Sequence, residues 1–217
     1  MIAISESRIS AIIEASGIGL KPCPSLIHGI QSYVSSLLLW NSKISLTAIV
    51  DPEEIVKLHF VESFFANSIV KMSRGRLADV GSGAGFPGIP IKMLETNLHL
   101  SMIEANAKKC VFLSEIVRKL NLKPVEVLNI RMEDVSDNAT PFDFISARAV
   151  GDFKQLLKWA GRHLAASGRV ILFLGSDDAD SVSSDTTSWS WRLERIPNTK
   201  QRVLLIGSLQ FDENSGV

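Results

Sequence analysis

The chain has 217 residues, with 23 basic and 23 acidic residues and 46% hydrophobic residues. This length and apolar content suit one core domain with an appendage, and they exclude a globally disordered chain. Because the net charge is zero, a nucleic-acid partner must be met by a local basic face. The two cysteines, Cys23 and Cys110, are far apart in the sequence, which excludes a disulfide framework or a zinc pattern. We predict no metal site.

The amino-terminal stretch MIAISESRISAIIEAS contains acids and no continuous apolar core, so we predict no signal peptide. No apolar run approaches the length of a membrane span. We therefore expect a cytoplasmic protein that has no contact with a membrane. Separately, we expect it to be a monomer.

Residues 1–72 have helical periodicity and are predicted to form a helical segment packed on the core. Apolar residues recur along one face from Ile9 to Ala15 and from Leu26 to Trp40. A further helix is predicted to begin at Asp51, because this N-cap acid precedes a proline at the first helical position and two acids. His59 lies in an otherwise apolar part of that helix, and we interpret it as a core histidine.

Residues 73–217 alternate between short apolar strands and amphipathic helices, which predicts βαβ units and a parallel sheet. The final strands, WSWRLERI and QRVLLIGSLQF, are separated by a short turn at Pro197-Asn198. A short connection favours an antiparallel pair at the end of the sheet. The helix KQLLKWAGRHLAA is predicted to end at Gly168, and the polar segment 176–188 is predicted to be a mobile loop.

The most informative stretch is DVGSGAGFPGIP, residues 79–90, which follows the first predicted strand. It contains a G-x-G-x-x-G pattern at 83–88, and its glycines allow a tight turn and a close approach of the backbone to a ligand. Ligands of α/β sheets bind beyond the carboxyl ends of the strands. A dinucleotide is one candidate, with an acid about 20 residues later on a ribose. Glu104, at the end of the second strand, has this spacing.

Three features favour S-adenosylmethionine over a dinucleotide. Asp79 places a carboxylate at the mouth of the glycine turn, where it would repel a pyrophosphate and suit the ammonium and sulfonium charges of S-adenosylmethionine. Pro87 removes an N–H donor where a pyrophosphate-binding helix would begin. The antiparallel end of the sheet is typical of seven-stranded methyltransferases. The cofactor is thus predicted at the loop containing Gly83 and Gly85, with its ribose hydroxyls on Glu104.

The rest of the predicted site follows the third and fourth strands. Met132 and Glu133 come after the third strand and are candidates to flank the adenine. After the fourth strand, the Pro-Pro-aromatic clamp that amino-directed methyltransferases use is absent, and no cysteine is placed to act as a nucleophile. A ring nitrogen such as guanine N7 requires only positioning, and Arg148 is predicted to hold the base or a phosphate. A local basic face is predicted to bind RNA. It comprises Arg74, Arg76, Lys108, Lys109, Arg148, Lys154 and Arg162.

Four stretches together resemble the bacterial small-subunit ribosomal RNA methyltransferase G family, once called glucose-inhibited division protein B. They are WNSKISLTAIVDPEEIVKLHFVES, DVGSGAGFPGIP, NAKKCVFLSEIVRKLNL and FDFISARAV, and the resemblance extends over about residues 25–169. It implies a class I, Rossmann-like methyltransferase with a seven-stranded, mostly parallel sheet and helices on both faces. It also implies formation of 7-methylguanosine in 16S rRNA of the small ribosomal subunit. The implied cofactor contacts are Gly81, Phe86, Met132, Glu133 and Arg148, with Glu104 at the ribose.

This chain departs from the family pattern at Leu174 and near Ser208, where basic residues are usual, which concerns contacts with RNA. Two other classes stay open from the sequence. One is a dinucleotide-dependent oxidoreductase that uses the glycine loop, and the other is a non-catalytic RNA-binding remnant.

Overall fold

A computed structural model describes residues 4–148 and 151–210. Seven strands form one sheet in the order β3-β2-β1-β4-β5-β7-β6. The strands are β1 Gly75–Val80, β2 Leu98–Ile103, β3 Val125–Leu128, β4 Phe142–Arg148, β5 Leu164–Gly175, β6 Trp189–Arg195 and β7 Arg202–Leu209. The first five are mutually parallel, whereas β7 runs antiparallel to both β5 and β6. The predicted seven-stranded, mostly parallel sheet with an antiparallel end is confirmed.

Eight α-helices and two short helices of other types surround this sheet in the described residues. They are α1 Glu6–Ala15, α2 Pro24–Asn41, α3 Pro52–Ile55, a π-helix Val56–Val61, α4 Glu62–Val70, α5 Gly88–Leu94, α6 Ala107–Lys119, a 3₁₀ helix Met132–Asp134, α7 Phe153–His163 and α8 Ser176–Asp185. Within the described part of the chain, each helix is too short or too polar to cross a bilayer.

The side chains of alternating strand residues pack into two hydrophobic clusters, one on each face of the sheet. Leu77 and Ile171 pack in the cluster that includes residues of α1, α2, α4, α5 and α6. Their neighbours Ala78 and Leu172 pack in the cluster with α7 and α8. Successive side chains of a strand point to opposite faces, so helices cover both sides of the sheet, as predicted. The amino-terminal helices share one cluster with the sheet, while the division into domains 1–72 and 73–217 stays a prediction.

The helix predicted to begin at Asp51 is confirmed. The Asp51 Oδ1 accepts a hydrogen bond from the backbone N–H of Glu54 at 2.9 Å, and Pro52 occupies the first turn. The helix is not a regular α-helix along its whole length, because the π-helix Val56–Val61 separates α3 from α4. Such short π-helices often occur at functional sites, and this one includes His59.

Two local predictions were wrong. Residues 176–188 are not a loop throughout, because α8 occupies Ser176–Asp185 with buried Ala179 and Val182 against the sheet. Acids in its first turn also favour a helix start, so the polar composition hid an amphipathic helix. Helix α7 ends at His163 rather than at Gly168, because Leu164 already pairs with Phe142 as the first residue of β5.

Candidate active site

The glycine loop lies at the carboxyl end of β1, in the middle of the parallel strands. Gly81, Gly83 and Gly85 all have positive φ angles, of 68°, 56° and 89°, which glycine adopts without steric cost. At Gly85 a Cβ would overlap the Tyr33 hydroxyl and approach Ile89 Cδ1 to 2.6 Å. At Gly83 the nearest atom to a Cβ would be the Gly81 carbonyl oxygen at 3.7 Å. Gly85 is therefore required by packing, whereas Gly83 borders open space.

Asp79 lies beneath this loop and not at its mouth. Its side chain is fully buried; Oδ2 accepts a hydrogen bond from the Gly88 N–H at 3.2 Å and Oδ1 accepts one from the Ser146 hydroxyl at 2.8 Å. Burial raises the pKa of Asp79 to about 6, against the opposing effect of these hydrogen bonds. The carboxylate thus joins β1, the start of α5 and β4, and its contact with a cofactor stays a prediction.

Glu104 and Gly83 meet at the rim of the loop, because β1 and β2 are parallel neighbours. The Glu104 Oε2 accepts a hydrogen bond from the Gly83 N–H at 2.9 Å, and Oε1 accepts one from the Asn106 N–H at 2.8 Å. The Asn106 side chain in turn caps α6 by accepting from the Lys108 N–H at 2.9 Å. Each carboxylate oxygen retains a second lone-pair direction, so the fixed acid can accept further hydrogen bonds from a ligand.

Met132 and Glu133 lie in the 3₁₀ helix that follows β3, and β3 is the strand next to β2. Met132 is partly buried against the hydrophobic cluster of the α7 face. Glu133 is exposed and accepts a hydrogen bond from Gln155 Nε2 at 2.7 Å. Asn129, which the sequence did not single out, donates to the carbonyls of Glu104 and Ala105 at 3.1 and 3.0 Å. It ties the end of the third strand to the acid of the second.

An aromatic stack supports the loop from below. The ring of Phe86 lies between those of His59 and Tyr33, with centroid distances of 4.5 and 5.2 Å and nearly parallel planes. The His59 Nε2 lies 3.1 Å from the Thr47 Oγ1. Burial, together with the charges of Arg148 and Arg202, lowers the pKa of His59 to about 3. The histidine is therefore neutral at physiological pH and belongs to the core, as interpreted from the sequence.

Arg148 is the last residue of β4, and its side chain contacts the π-helix Val56–Val61. Its Nη2 donates to the Leu58 carbonyl at 2.8 Å and lies 3.2 Å from the Glu62 Oε2. Glu62 is also bound by Arg202, whose Nε lies 2.6 Å from Oε1. Burial lowers the pKa of Arg148 to about 10, so the guanidinium stays charged at neutral pH. Asp143, an acid on the same strand, accepts a hydrogen bond from the Arg76 backbone N–H, and the acid that pairs with Arg148 is Glu62.

A glycine loop, an acid on the next strand and an arginine at the end of β4 therefore converge at one edge of the sheet. A family model described as rRNA small subunit methyltransferase G matches residues 26–204. The chain belongs to this family.

Relatives in the methyltransferase G family cover most of the chain. The ribosomal RNA small subunit methyltransferase G of Geotalea uraniireducens is 37% identical over 176 residues, 77% of this chain and 78% of that protein. The protein of the same name from Pseudomonas putida is 34% identical over 80% of this chain and 82% of its own length.

Solved structures agree with the fold of the methyltransferase G family. A putative O-methyltransferase from Klebsiella pneumoniae has a TM-score of 0.63 and 13% identity, covering 95% of this chain and 99% of that one. A ribosomal protein L11 methylase from Lactobacillus delbrueckii subsp. bulgaricus has a TM-score of 0.61 and 16% identity, covering 71% and 80%. The class I methyltransferase fold is confirmed.

The basic residues proposed from the sequence do not form one face in this member of the methyltransferase G family. Lys108 and Lys109 lie in the first turn of α6, at the carboxyl edge beside Glu104. Lys154 lies in the first turn of α7, and its Nζ is 3.4 Å from Asp185 Oδ2. Arg74 and Arg76 precede or begin β1 at the opposite edge. Arg162, in the last turn of α7, lies 3.6 Å from Asp137. Ala149, part of the motif that includes Arg148, lies outside the described residues.

Sequence reasoning missed four residues of this site: Tyr33, Glu62, Ser146 and Arg202. Glu62 and Ser146 lie in stretches that carried the family resemblance, and both are polar residues within apolar elements that are fully buried. A buried polar residue needs a partner, and this signal could have directed attention to them. Arg202 has no local signal, since only the pairing of β7 with β5 brings it to the carboxyl edge.

Proposed function

We propose that this chain transfers a methyl group from S-adenosylmethionine to guanine N7 in 16S rRNA of the small ribosomal subunit. Family membership supports the substrate class. The observation that carries the proposal is the geometry at the carboxyl edge, where the Gly83 N–H and the Glu104 carboxylate meet at 2.9 Å on the strand pair beside β4 and its terminal Arg148. A substrate of this kind would place the enzyme in the cytoplasm, and we propose that it acts as a monomer.

The residues present fit S-adenosylmethionine. The open space at Gly83 admits a ligand close to the backbone, and Glu104 can accept from the ribose hydroxyls. Partly buried Met132 offers an apolar side for the adenine, beside Glu133. Gly81, Gly85 and Phe86 shape the loop from within. When bound, this cofactor supplies a methyl group on a sulfonium centre, which is electrophilic without further activation.

A dinucleotide fits this loop less well. A pyrophosphate binds at a helix N-terminus through free N–H groups, but the Gly88 N–H at the start of α5 is bonded to Asp79 and the Ile89 N–H is bonded to the Gly85 carbonyl at 2.9 Å. Pro87 has no N–H at all. These N–H groups already donate hydrogen bonds within the protein and are not free for a pyrophosphate. The glycine loop therefore favours S-adenosylmethionine over the dinucleotide of an oxidoreductase.

Methyl transfer to this acceptor requires the protein to position the base and does not require it to transfer a proton. Guanine N7 has an in-plane lone pair and carries no proton at neutral pH, so no general base is required. Holding it in line with the methyl group can supply ~7–11 kcal/mol. Arg148 remains a charged donor, held by the Leu58 carbonyl and the Glu62 carboxylate. It would orient the base or its phosphate and take no part as an acid or a base.

The test is methyl transfer from radiolabelled S-adenosylmethionine to small subunits that lack the modification, followed by mapping and nucleoside analysis of the label. We expect label in 7-methylguanosine of 16S rRNA. Arg148→Ala should lose transfer, and its affinity for S-adenosylhomocysteine, measured in parallel, separates a role in holding the acceptor from the cofactor contact that the family resemblance implies. Label in another nucleoside would refute the N7 assignment, and binding of the subunit without any transfer would favour the non-catalytic remnant.

A further inference from the structure

Two arginines share one buried carboxylate beside the proposed acceptor position. The Glu62 side chain is 1% exposed and lies 3.2 Å from Arg148 Nη2 and 2.6 Å from Arg202 Nε. The Arg202 Nη2 also donates to Glu62 Oε2 at 2.8 Å. Two guanidinium groups against one carboxylate leave one positive charge in excess. Taking the Arg148 guanidinium out of water is costly, whereas the Arg202 side chain is 35% exposed and can face a ligand.

The topology brings the two arginines to the same edge of the sheet. Arg148 is the last residue of β4 and pairs with Phe173 on β5. Because β7 is antiparallel, its first residue, Arg202, pairs with Gly175, the last residue of β5. Both arginines therefore lie at the carboxyl edge, next to one strand end, although they are far apart in the sequence.

A cavity of about 580 Å³ borders both arginines and is lined by Arg148, Phe153, Gly175, Asp178 and Arg202, among others. The Nη1 of Arg148 is buried and has no hydrogen-bond partner among the described residues. A buried donor without an acceptor costs free energy, and an acceptor brought by a ligand would satisfy this one. Among the described residues that line the cavity, Asp178, an exposed residue of α8, is the only acid.

The cavity is separate from the proposed cofactor site at the glycine loop and Glu104. The loop and Glu104 lie at the ends of β1 and β2, whereas the cavity lies over β5 and β7, with β4 between them in the sheet. A group bound here would therefore approach the reacting atoms from the side opposite to the ribose. An acceptor nucleotide that enters from this side would not overlap the ribose position proposed at Glu104.

We propose that Arg148 and Arg202 form the binding site for a backbone phosphodiester of the substrate RNA, and that Glu62 is a positioning residue that fixes both guanidinium groups. This inference rests on the proposed function. Arginine presents its donors in a planar fork that matches phosphate oxygens. The excess charge matches one phosphate, and a guanine base offers no anion to it. The competing occupant is the carboxylate of the cofactor.

The experiment measures binding of unmethylated small subunits as a function of salt for the wild type, Arg202→Gln and Arg192→Gln. Arg192 is the matched control, an exposed arginine of the same hairpin that pairs only with Glu194 among the described residues. Affinity for S-adenosylhomocysteine is measured by calorimetry on each variant. If Arg202→Gln does not fold, Arg202→Lys, which keeps a positive charge beside Glu62, replaces it in the comparison, with RNA affinity as its readout.

We expect Arg202→Gln to weaken RNA binding by about tenfold to a hundredfold and to reduce the salt slope by about 0.7 to 0.9. Arg192→Gln should resemble the wild type, and affinity for S-adenosylhomocysteine should be unchanged. Arg202→Lys should retain the salt slope and lose part of the affinity, because it keeps the charge without the fork.

Two results would overturn the phosphate site. Weaker S-adenosylhomocysteine binding with an unchanged salt slope would assign the arginines to the cofactor carboxylate. Unchanged affinity for both ligands would make the cluster an internal ion pair alone. Failure of the proposed function is distinguishable, since it would appear in the wild type as absence of methyl transfer, whatever Arg202→Gln does to binding.

Discussion

Replacing the buried Asp79 by asparagine tests how the cofactor loop is held. Asparagine has nearly the same shape, and its oxygen can accept from the Gly88 N–H as the carboxylate does at 3.2 Å. Its amide nitrogen can donate to the Ser146 Oγ, whose hydroxyl can then donate to the Ala78 carbonyl, 3.5 Å away. The substitution therefore keeps these two hydrogen bonds and removes the ionisable group, and any constant cost of the second amide N–H cancels when two pH values are compared.

Burial raises the pKa of Asp79 from 3.8 to about 6, so the folded protein holds this proton more tightly than the unfolded chain does. The contribution to stability is complete below pH 3.8 and is lost as the pH rises through about 6. At about 1.36 kcal/mol per pKa unit, the whole loss is about 3 kcal/mol. Roughly 1.4 kcal/mol of it falls between pH 5 and pH 8.

The free energy of unfolding is measured by urea denaturation at pH 5 and pH 8, at constant ionic strength and without cofactor. The difference between Asp79→Asn and the wild type should shift in favour of the variant by about 1.4 kcal/mol from pH 5 to pH 8. Asp180→Asn, which removes an exposed acid of α8, is the control. A difference between Asp79→Asn and the wild type that stays constant over this range would refute the account of a buried carboxylate with a raised pKa.

Three further predictions concern the proposed site. Gly83→Asn should tolerate the φ angle of 56°. It should nevertheless abolish the stabilisation of the fold by S-adenosylhomocysteine, which is about 2.7 kcal/mol at 100 times the dissociation constant, because the new side chain fills the cofactor space. Gly83→Val should lose this stabilisation too, with added backbone strain. Normal binding by both variants would contradict the loop assignment. Glu104→Gln should weaken S-adenosylhomocysteine binding by roughly tenfold to a hundredfold, and an unchanged dissociation constant in calorimetry would make Glu104 a purely structural acid. Single-turnover methyl transfer should be nearly flat from about pH 6.5 to 9, and Arg148→Ala should lower it by a similar factor at each pH; a rate that climbs tenfold per pH unit would indicate an acceptor that carries a proton.

The fold was predictable where the signal is local. Alternating strands and helices, the Asp51-Pro52 helix start and the short turn at Pro197-Asn198 are each encoded within about ten residues, and the structure has these elements. The helix α8 was missed because its polar residues outnumber the buried Ala179 and Val182, so its apolar face is too narrow to stand out.

By itself, the sequence determined the family, the seven-stranded class I fold and the placement of Gly83 and Glu104 at one edge of the sheet, because parallel neighbours bring their carboxyl ends to one edge. Only the tertiary structure decided that Asp79 lies beneath the loop, since its burial depends on Ser146 and Gly88 from other elements. It likewise decided that Glu62, Arg148 and Arg202 form one cluster. Their contact requires β7 to insert antiparallel between β5 and β6, and such long-range pairing leaves no trace in local periodicity.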